Sequence, residues 1–203
     1  DYEKRCGTGD FDGYWGIWDE PFLQYMSGVL SETPQPFFAS VFTLTSHHPF
    51  VVPDRYAGIL PEGKTKVHRG VAYTDLALRR FMETSGREAW FRNTIFVFVA
   101  DHVSSETFAP KTLTPTGNSH IVCLLYTPDG ALRGKSAETV QQIDLMPTLL
   151  GLLGYGKPYF AFGRDVFREA DTPAMAVNAM NENYQAITDS LVLFFDGERT
   201  LSA

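Results

Sequence analysis

Two short segments of this sequence contain the residue types that are best suited to metal binding or to contact with an anionic substrate. Asp101-His102 comes directly after the apolar run 94–100, and His47-His48 follows the apolar run 37–43. A carboxylate beside an imidazole supplies one hard oxygen and one nitrogen, a pairing that suits Zn²⁺ or Mn²⁺. The alternative is that Asp101 caps a turn and His102 is a partly solvated loop residue, since two ligands do not by themselves make a metal site.

The histidine pair His47-His48 allows two interpretations as well. Either imidazole could donate to an anionic substrate, but the spacing alone favours a polar turn before Pro49. His68 and His120 begin a predicted helix and a predicted strand, and we expect structural roles for both. Three arginines are of the type that binds phosphate bidentately, although their spacing singles none of them out: Arg55, Arg69 and Arg164.

The elements that must position these residues alternate between strand-like and helical patterns. Apolar periodicity predicts helices over 19–30, 67–82 and 144–153. Continuous apolar runs predict buried strands over 37–43, 94–100 and 120–126, and the second run has the unbroken apolarity of a strand covered on both faces. Because ligands of open α/β sheets bind at the carboxyl ends of strands, we expect Asp101, His102 and His47 to share one rim.

The last part of the chain has a different pattern. Residues 174–180 and 190–195 are strand-like, and Asp196-Gly197 is a hairpin signal. The sequence contains no internal repeat and no convincing linker. We therefore predict one α/β domain over residues 1–203, in which residues 168–203 form a small antiparallel carboxyl-terminal segment.

Composition and charge narrow the class of protein. The 203 residues are 44% hydrophobic and 20% charged, which is typical of a globular chain, and the net charge is −7. This acidic balance argues against a broad nucleic-acid footprint. The apolar runs are far shorter than the ~20 residues that span a bilayer. A bridge between Cys6 and Cys123 is possible but cannot be assumed, because Cys123 lies in an apolar run and is expected in the core.

Six groups of residues occur together in a characteristic order. The groups are 12–20 (DGYWGIWDE), 36–38 (PFF), 43–50 (TLTSHHPF), 73–75 (YTD), 93–97 with 100–102 (NTIFV with ADH), and 142–150 (QIDLMPTLL). Their order resembles the sulfatase family, and more narrowly the lipoteichoic-acid-synthase-like branch of the alkaline phosphatase superfamily. The resemblance covers most of residues 12–167 and implies an alkaline-phosphatase-like mixed sheet flanked by helices.

The resemblance implies a hydrolase or transferase of phosphate or sulfate esters, with phosphoglycerol transfer to a glycolipid or glycan among the reactions. A Thr, Ser or modified Cys nucleophile would attack the ester with help from a divalent metal. By motif match, Asp101 and His102 are the metal ligands, and Mn or Zn is favoured over Ca or Mg. His47 matches the position that contacts the substrate's phosphoryl group, and His48 is its neighbour. The family also implies an extracytoplasmic enzyme, periplasmic or on the outer face of the cytoplasmic membrane, anchored through upstream segments outside this chain.

Three departures from the family pattern qualify this expectation. Val103 stands where the family often has Gly or a small polar residue, nothing before Asp101 resembles the nucleophile and acidic-ligand segment, and the family usually continues beyond residues 195–198. We therefore expect a fragment of the catalytic domain that holds half a metal site, no catalytic nucleophile and no activity of its own. The alternative is a non-catalytic extracytoplasmic binding or sensor domain that kept the fold. A Thr, Ser or Cys nucleophile with an acidic ligand upstream would favour the enzyme.

Overall fold

The computed structural model describes residues 1–106, 109–168, 172–180 and 182–203. It divides into two compact units, Asp1–Pro110 with Ile121–Arg133, and Lys111–His120 with Gly134–Ala203. That residues 1–203 form one domain stays a prediction. The helices are α1 (Tyr2–Cys6), α2 (Asp19–Glu32), α3 (Lys66–Ser85) and α4 (Leu145–Leu152), and the strands are β1 (Phe96–Val99), β2 (Cys123–Tyr126), β3 (Ala176–Met180), β4 (Asn183–Ile187), β5 (Val192–Phe195) and β6 (Thr200–Ser202).

Helices α2 and α3 form the core of the first unit, and both lie where apolar periodicity predicts helices. Their inward residues pack with the segment before β1 and with the first residue of that strand, in a cluster of Leu23, Leu30, Ala77, Phe81, Trp90, Phe91 and Phe96. A buried hydrogen bond of 2.9 Å joins the hydroxyls of Ser27 and Ser85 between the two helices. At the start of α3, His68 Nδ1 accepts the backbone N–H groups of Lys64 and Thr65, which confirms a structural role for this histidine.

Strands β1 and β2 pair antiparallel, with Phe96 opposite Tyr126 and Val99 opposite Cys123. Both form inside the predicted runs, but their burial differs from the prediction. Only Phe96 is buried in β1, and Cys123 is exposed with a free thiol, so the expectation that β2 and Cys123 are buried in the core is wrong for this chain. The reason is that β1 and β2 pair only with each other among the described strands, so each lacks a second neighbouring strand whose side chains would help to cover its faces.

The predicted strand over residues 37–43 does not form. These residues pair with no strand in the described part of the chain, and Phe38 and Phe42 are 89% and 65% exposed. β-branched and aromatic side chains favour a strand only where a neighbouring strand supplies backbone partners and a packed face. The composition of residues 37–43 therefore favours a strand, but the described part of the chain provides no neighbouring strand with which the segment pairs.

The second unit contains a four-stranded antiparallel sheet in the order β3-β4-β5-β6. The predicted strands over 174–180 and 190–195 and the predicted hairpin are present, while residues 169–171 and 181 lie outside the described part of the chain. In the hairpin turn, the Asp196 carboxylate accepts the N–H groups of Arg199 and Glu198, which lowers the pKa of Asp196. Helix α4 lies inside the predicted run 144–153, and Gly154 ends it with a φ of 67°.

Candidate functional site

The His47-His48 segment forms a tight turn whose backbone orients the first imidazole. His47 N–H donates to the carbonyl of Leu44 at 3.0 Å, and Phe50 N–H donates to the carbonyl of His47 at 2.8 Å. The Nδ1 atom of His47 lies 2.9 Å from the carbonyl oxygen of His48. Because a carbonyl oxygen only accepts, Nδ1 carries the hydrogen, and Nε2 is the ring nitrogen left for a ligand.

A buried carboxylate holds this turn against both helices. Asp19, only 2% exposed, begins α2. Its Oδ1 atom accepts the N–H groups of Leu44 (2.9 Å) and Thr45 (3.1 Å), and its Oδ2 atom accepts the hydroxyl of Thr74 on α3 at 2.6 Å. The Asp19 N–H in turn donates to Thr45 Oγ1 at 3.1 Å. The backbone that leads into His47 is thus fixed by charge-assisted hydrogen bonds.

Helix α3 also approaches this turn closely at a glycine. A Cβ atom placed on Gly70 would lie 3.3 Å from both the Cα of Ser46 and the carbonyl oxygen of Thr45. These are backbone atoms, which have little freedom to move away. The absence of a side chain at Gly70 therefore allows the turn before His47 to pack directly on the helix.

The Asp101-His102 segment follows β1 and places two donor atoms side by side. His102 Nδ1 lies 2.7 Å from the carbonyl oxygen of Val103, so Nδ1 carries the hydrogen and Nε2 is the ring's other nitrogen. That Nε2 atom lies 3.4 Å from Asp101 Oδ2. Two ligands held about 2.1 Å from one tetrahedral ion are about 3.4 Å apart, so the separation fits joint coordination.

The pair supplies only part of a coordination sphere. Among the described residues, no group of three or more His, Cys, Asp and Glu side chains is arranged to hold a metal ion. The Asp101 and His102 side chains are 52% and 71% exposed, which leaves room for further ligands and for substrate. The donor set therefore fits a divalent metal but accounts for two of its ligands.

The loops that follow the two histidine-bearing segments meet at a cavity of about 730 Å³. It is lined by His48, Pro49, Phe50, Glu62, Gly63, Lys64, Thr65, Lys66, Ser105 and Glu106. His47, Asp101 and His102 are not among its lining residues. Glu106 Oε2 accepts the N–H of Val67 at 3.3 Å in the first turn of α3, an attachment that connects the Asp101-His102 loop to the helix beside the cavity.

The three arginines singled out by type all have carboxylate partners. Arg55 pairs with Glu20 at 3.4 Å, Arg69 with Glu62 at 3.6 Å, and Arg164, in the second unit, with Glu138 at 3.1 Å. Each of the three guanidinium groups thus has a carboxylate neighbour, although Glu20 is shared with Arg80, which lies 3.2 Å from its Oε1 atom.

The role of Trp15 beside His47 was not predicted from the sequence, and neither was that of Asp19. The Nε1–H group of Trp15 donates to the carbonyl oxygen of His48 at 2.7 Å, and the Trp15 ring lies 4.3 Å from the His47 ring, centroid to centroid. The available signal was Asp12-Gly13, a turn pair that ends two residues before Trp15.

Comparison with known proteins decides the family. The family model for sulfatases matches residues 1–155. The chain belongs to the sulfatase family. Its structure is similar to the crystal structure of a protein in the alkaline phosphatase superfamily from Vibrio parahaemolyticus, with a TM-score of 0.81 and 28% identity over 98% of this chain and 49% of that one. The expected α/β fold of the alkaline phosphatase superfamily is confirmed.

Two sequence relatives of this sulfatase-family chain agree with the narrower resemblance. It is 29% identical to the lipoteichoic acid synthase-like protein YvgJ of Bacillus subtilis, over 78% of this chain and 29% of that protein. It is 26% identical to the lipoteichoic acid synthase of Staphylococcus aureus, over 75% of this chain and 26% of that protein. The chain thus spans less than a third of the length of these relatives. Within the described residues, no helix has the length and apolarity needed to cross a membrane.

The buried carboxylate of Asp19 generates a stability prediction. We expect Asp19→Ala to lower the free energy of unfolding by about 3 kcal/mol or more, because it leaves one buried N–H group, one partly buried N–H group and a hydroxyl without their acceptor. Asp19→Asn keeps one oxygen for the two N–H groups, so its loss should be clearly smaller. Urea unfolding followed by tryptophan fluorescence measures both variants. Equal losses for Ala and Asn would contradict the role given to Oδ1.

Proposed function

We propose that this chain is the carboxyl-terminal part of the catalytic domain of a divalent-metal-dependent enzyme that hydrolyses or transfers phosphate or sulfate esters. The observation that carries the proposal is the 3.4 Å separation of Asp101 Oδ2 and His102 Nε2, in a chain that belongs to the sulfatase family. Similarity to two lipoteichoic acid synthase proteins supports phosphoglycerol transfer to a glycolipid or glycan as the specific reaction.

Asp101 and His102 would hold the metal. The Val103 carbonyl keeps the hydrogen of His102 on Nδ1, so the Nε2 lone pair is available beside the Asp101 carboxylate. A carboxylate with an imidazole favours Mn²⁺ or Zn²⁺ over Ca²⁺ or Mg²⁺, which prefer oxygen ligands alone. When bound, such an ion stabilises the negative charge of an oxygen nucleophile and of the ester oxygens.

His47 would bind the anionic group of the substrate. With Nδ1–H held by the His48 carbonyl, Nε2 is the nitrogen that meets the ligand, and in the protonated ring it donates a hydrogen bond to a phosphoryl or sulfuryl oxygen. His48 would line the neighbouring cavity, where the remainder of the substrate can lie. The nucleophile and the remaining metal ligands would come from outside this chain.

The same relatives support a proposal for the place of action. We infer an extracytoplasmic protein, periplasmic or on the outer face of the cytoplasmic membrane, that is anchored through segments outside these residues and acts on an anionic ester. Similarity to the lipoteichoic acid synthases supports this placement. The net charge of −7 gives no support to a nucleic-acid partner.

The metal ligands generate a prediction for the intact protein. We expect Asp101→Ala and His102→Ala each to lower kcat/KM for ester hydrolysis by about 10³-fold or more, because several kcal/mol of charge stabilisation is lost with the metal. Asp75→Ala and His120→Ala are matched controls, since both side chains belong to exposed residues outside the site. Release of 4-nitrophenol from phosphate, phosphodiester and sulfate esters with added Mn²⁺ measures the effect. Full activity of Asp101→Ala would contradict the metal assignment.

A second prediction concerns the 203-residue chain by itself. We expect it to hydrolyse none of these esters and to lose added Mn²⁺ or Zn²⁺ on dialysis, because two ligands leave most of the coordination sphere to water. Metal analysis after dialysis and the 4-nitrophenol assay test this beside the intact protein. Stoichiometric metal retained by the chain, or turnover abolished by His102→Ala, would show that a complete site lies within residues 1–203.

A further inference from the structure

The loop that carries Trp15 has a fixed backbone. Phe11 and Ile17 form an antiparallel bridge, and Asp12 N–H donates to the carbonyl of Gly16 at 2.8 Å. The Asp12 carboxylate accepts three successive backbone N–H groups at 2.8 to 3.0 Å, those of Tyr14, Trp15 and Gly16. One side chain thus closes the whole turn, so Trp15 extends from a defined position although 54% of it is exposed.

Trp15 and His47 donate to the same oxygen. The carbonyl of His48 accepts Nε1–H of Trp15 at 2.7 Å and Nδ1–H of His47 at 2.9 Å, which uses both of its lone pairs. The two rings also meet edge to face, with 4.3 Å between centroids and 61° between planes. A change at Trp15 therefore acts on the carbonyl that sets the His47 tautomer and on the space in which the His47 ring can turn.

We propose that Trp15 is a positioning residue for His47. Its indole N–H fixes the orientation of the His48 carbonyl, and its ring blocks rotation of the imidazole, so that His47 keeps its hydrogen on Nδ1 and always presents Nε2 to a ligand. The inference about tautomer and orientation stands on these contacts alone. Its effect on turnover rests on the proposed function, in which Nε2 meets the anionic group of an ester.

Trp15 contacts the His47 turn in two ways, through its indole N–H group and through its ring, and variants can test the two contacts separately. Trp15→Phe keeps an aromatic ring beside His47 but removes the N–H group. Trp15→Ala removes both the ring and the N–H. If the indole N–H matters, Trp15→Phe alone should loosen the hold on the imidazole. Tyr14→Phe is the matched control, because Tyr14 lies on the same loop and its backbone N–H, not its hydroxyl, is the group that contacts Asp12.

The direct test is NMR of the histidine ring nitrogens in the intact protein, at a pH where His47 is neutral, with His47→Gln used to assign its signals. We expect wild-type His47 to show the Nδ1–H tautomer, and Trp15→Phe and Trp15→Ala to shift its population towards Nε2–H. Tyr14→Phe should leave it unchanged. A wild-type ring in the Nε2–H form overturns the proposal, and this measurement requires no variant at position 15 to fold. Unchanged tautomers in folded Trp15 variants also overturn it.

The kinetic test is a double-mutant cycle with 4-nitrophenyl phosphodiesters. We expect Trp15→Phe to lower kcat/KM about tenfold, the size typical when a group that orients a functional imidazole is removed. In the His47→Gln background the same change should have little further effect, because Trp15 acts through His47. A full and additive tenfold loss in that background would overturn the proposal. If the wild-type protein hydrolyses no ester, the proposed function fails, and the NMR result alone decides the role of Trp15.

Discussion

The candidate site depends on one buried charge, the carboxylate of Asp19. A buried carboxylate is costly to desolvate, so it persists only where several donors surround it. Here the donors come from the turn at Leu44 and Thr45 and from Thr74 on α3, while Asp19 itself begins α2. Removing the charge from water thus requires three segments that are distant in sequence to meet at one point. The turn that carries His47 and His48 is placed by that requirement.

Backbone hydrogen bonds set which ring nitrogen of the two candidate ligand histidines is left for a ligand. In both His47 and His102, Nδ1 donates to a backbone carbonyl of the next residue, which leaves Nε2 as the nitrogen for a ligand. His68 is oriented in the opposite sense, because its Nδ1 accepts two backbone N–H groups and its hydrogen is therefore on Nε2 in the neutral ring. The same side chain thus serves as a helix cap or as a ligand donor according to which backbone group it meets.

The sequence predicted local features well and pairing poorly. Helices α2, α3 and α4 formed where apolar spacing placed them, because one helix face is defined within a few residues. The predictions of a strand over 37–43 and of a buried Cys123 were wrong, because both features depend on neighbouring strands. Strand β4 was missed because a polar residue, Gln185, occupies one of its two buried positions, where it forms hydrogen bonds with Pro115 and Asn178. The roles of Asp19 and Trp15 also required the fold, since their partners lie 25 or more residues away.

The site residues also differ in whether their arrangement depends on local sequence or on the fold. Asp101 and His102 are adjacent in sequence, so the loop after β1 brings their donor atoms together without help from the rest of the chain, and sequence reasoning could find them. The cavity beside His48 has no such local origin. It requires the Asp101-His102 loop to reach α3, which it does through Glu106 and the N–H of Val67, and it requires Gly70 to let the turn at Ser46 lie against the same helix. Helix α3 therefore contacts both the loop after the expected metal pair and the turn that carries the expected anion-binding histidine, and a change that moves this helix should disturb both segments together.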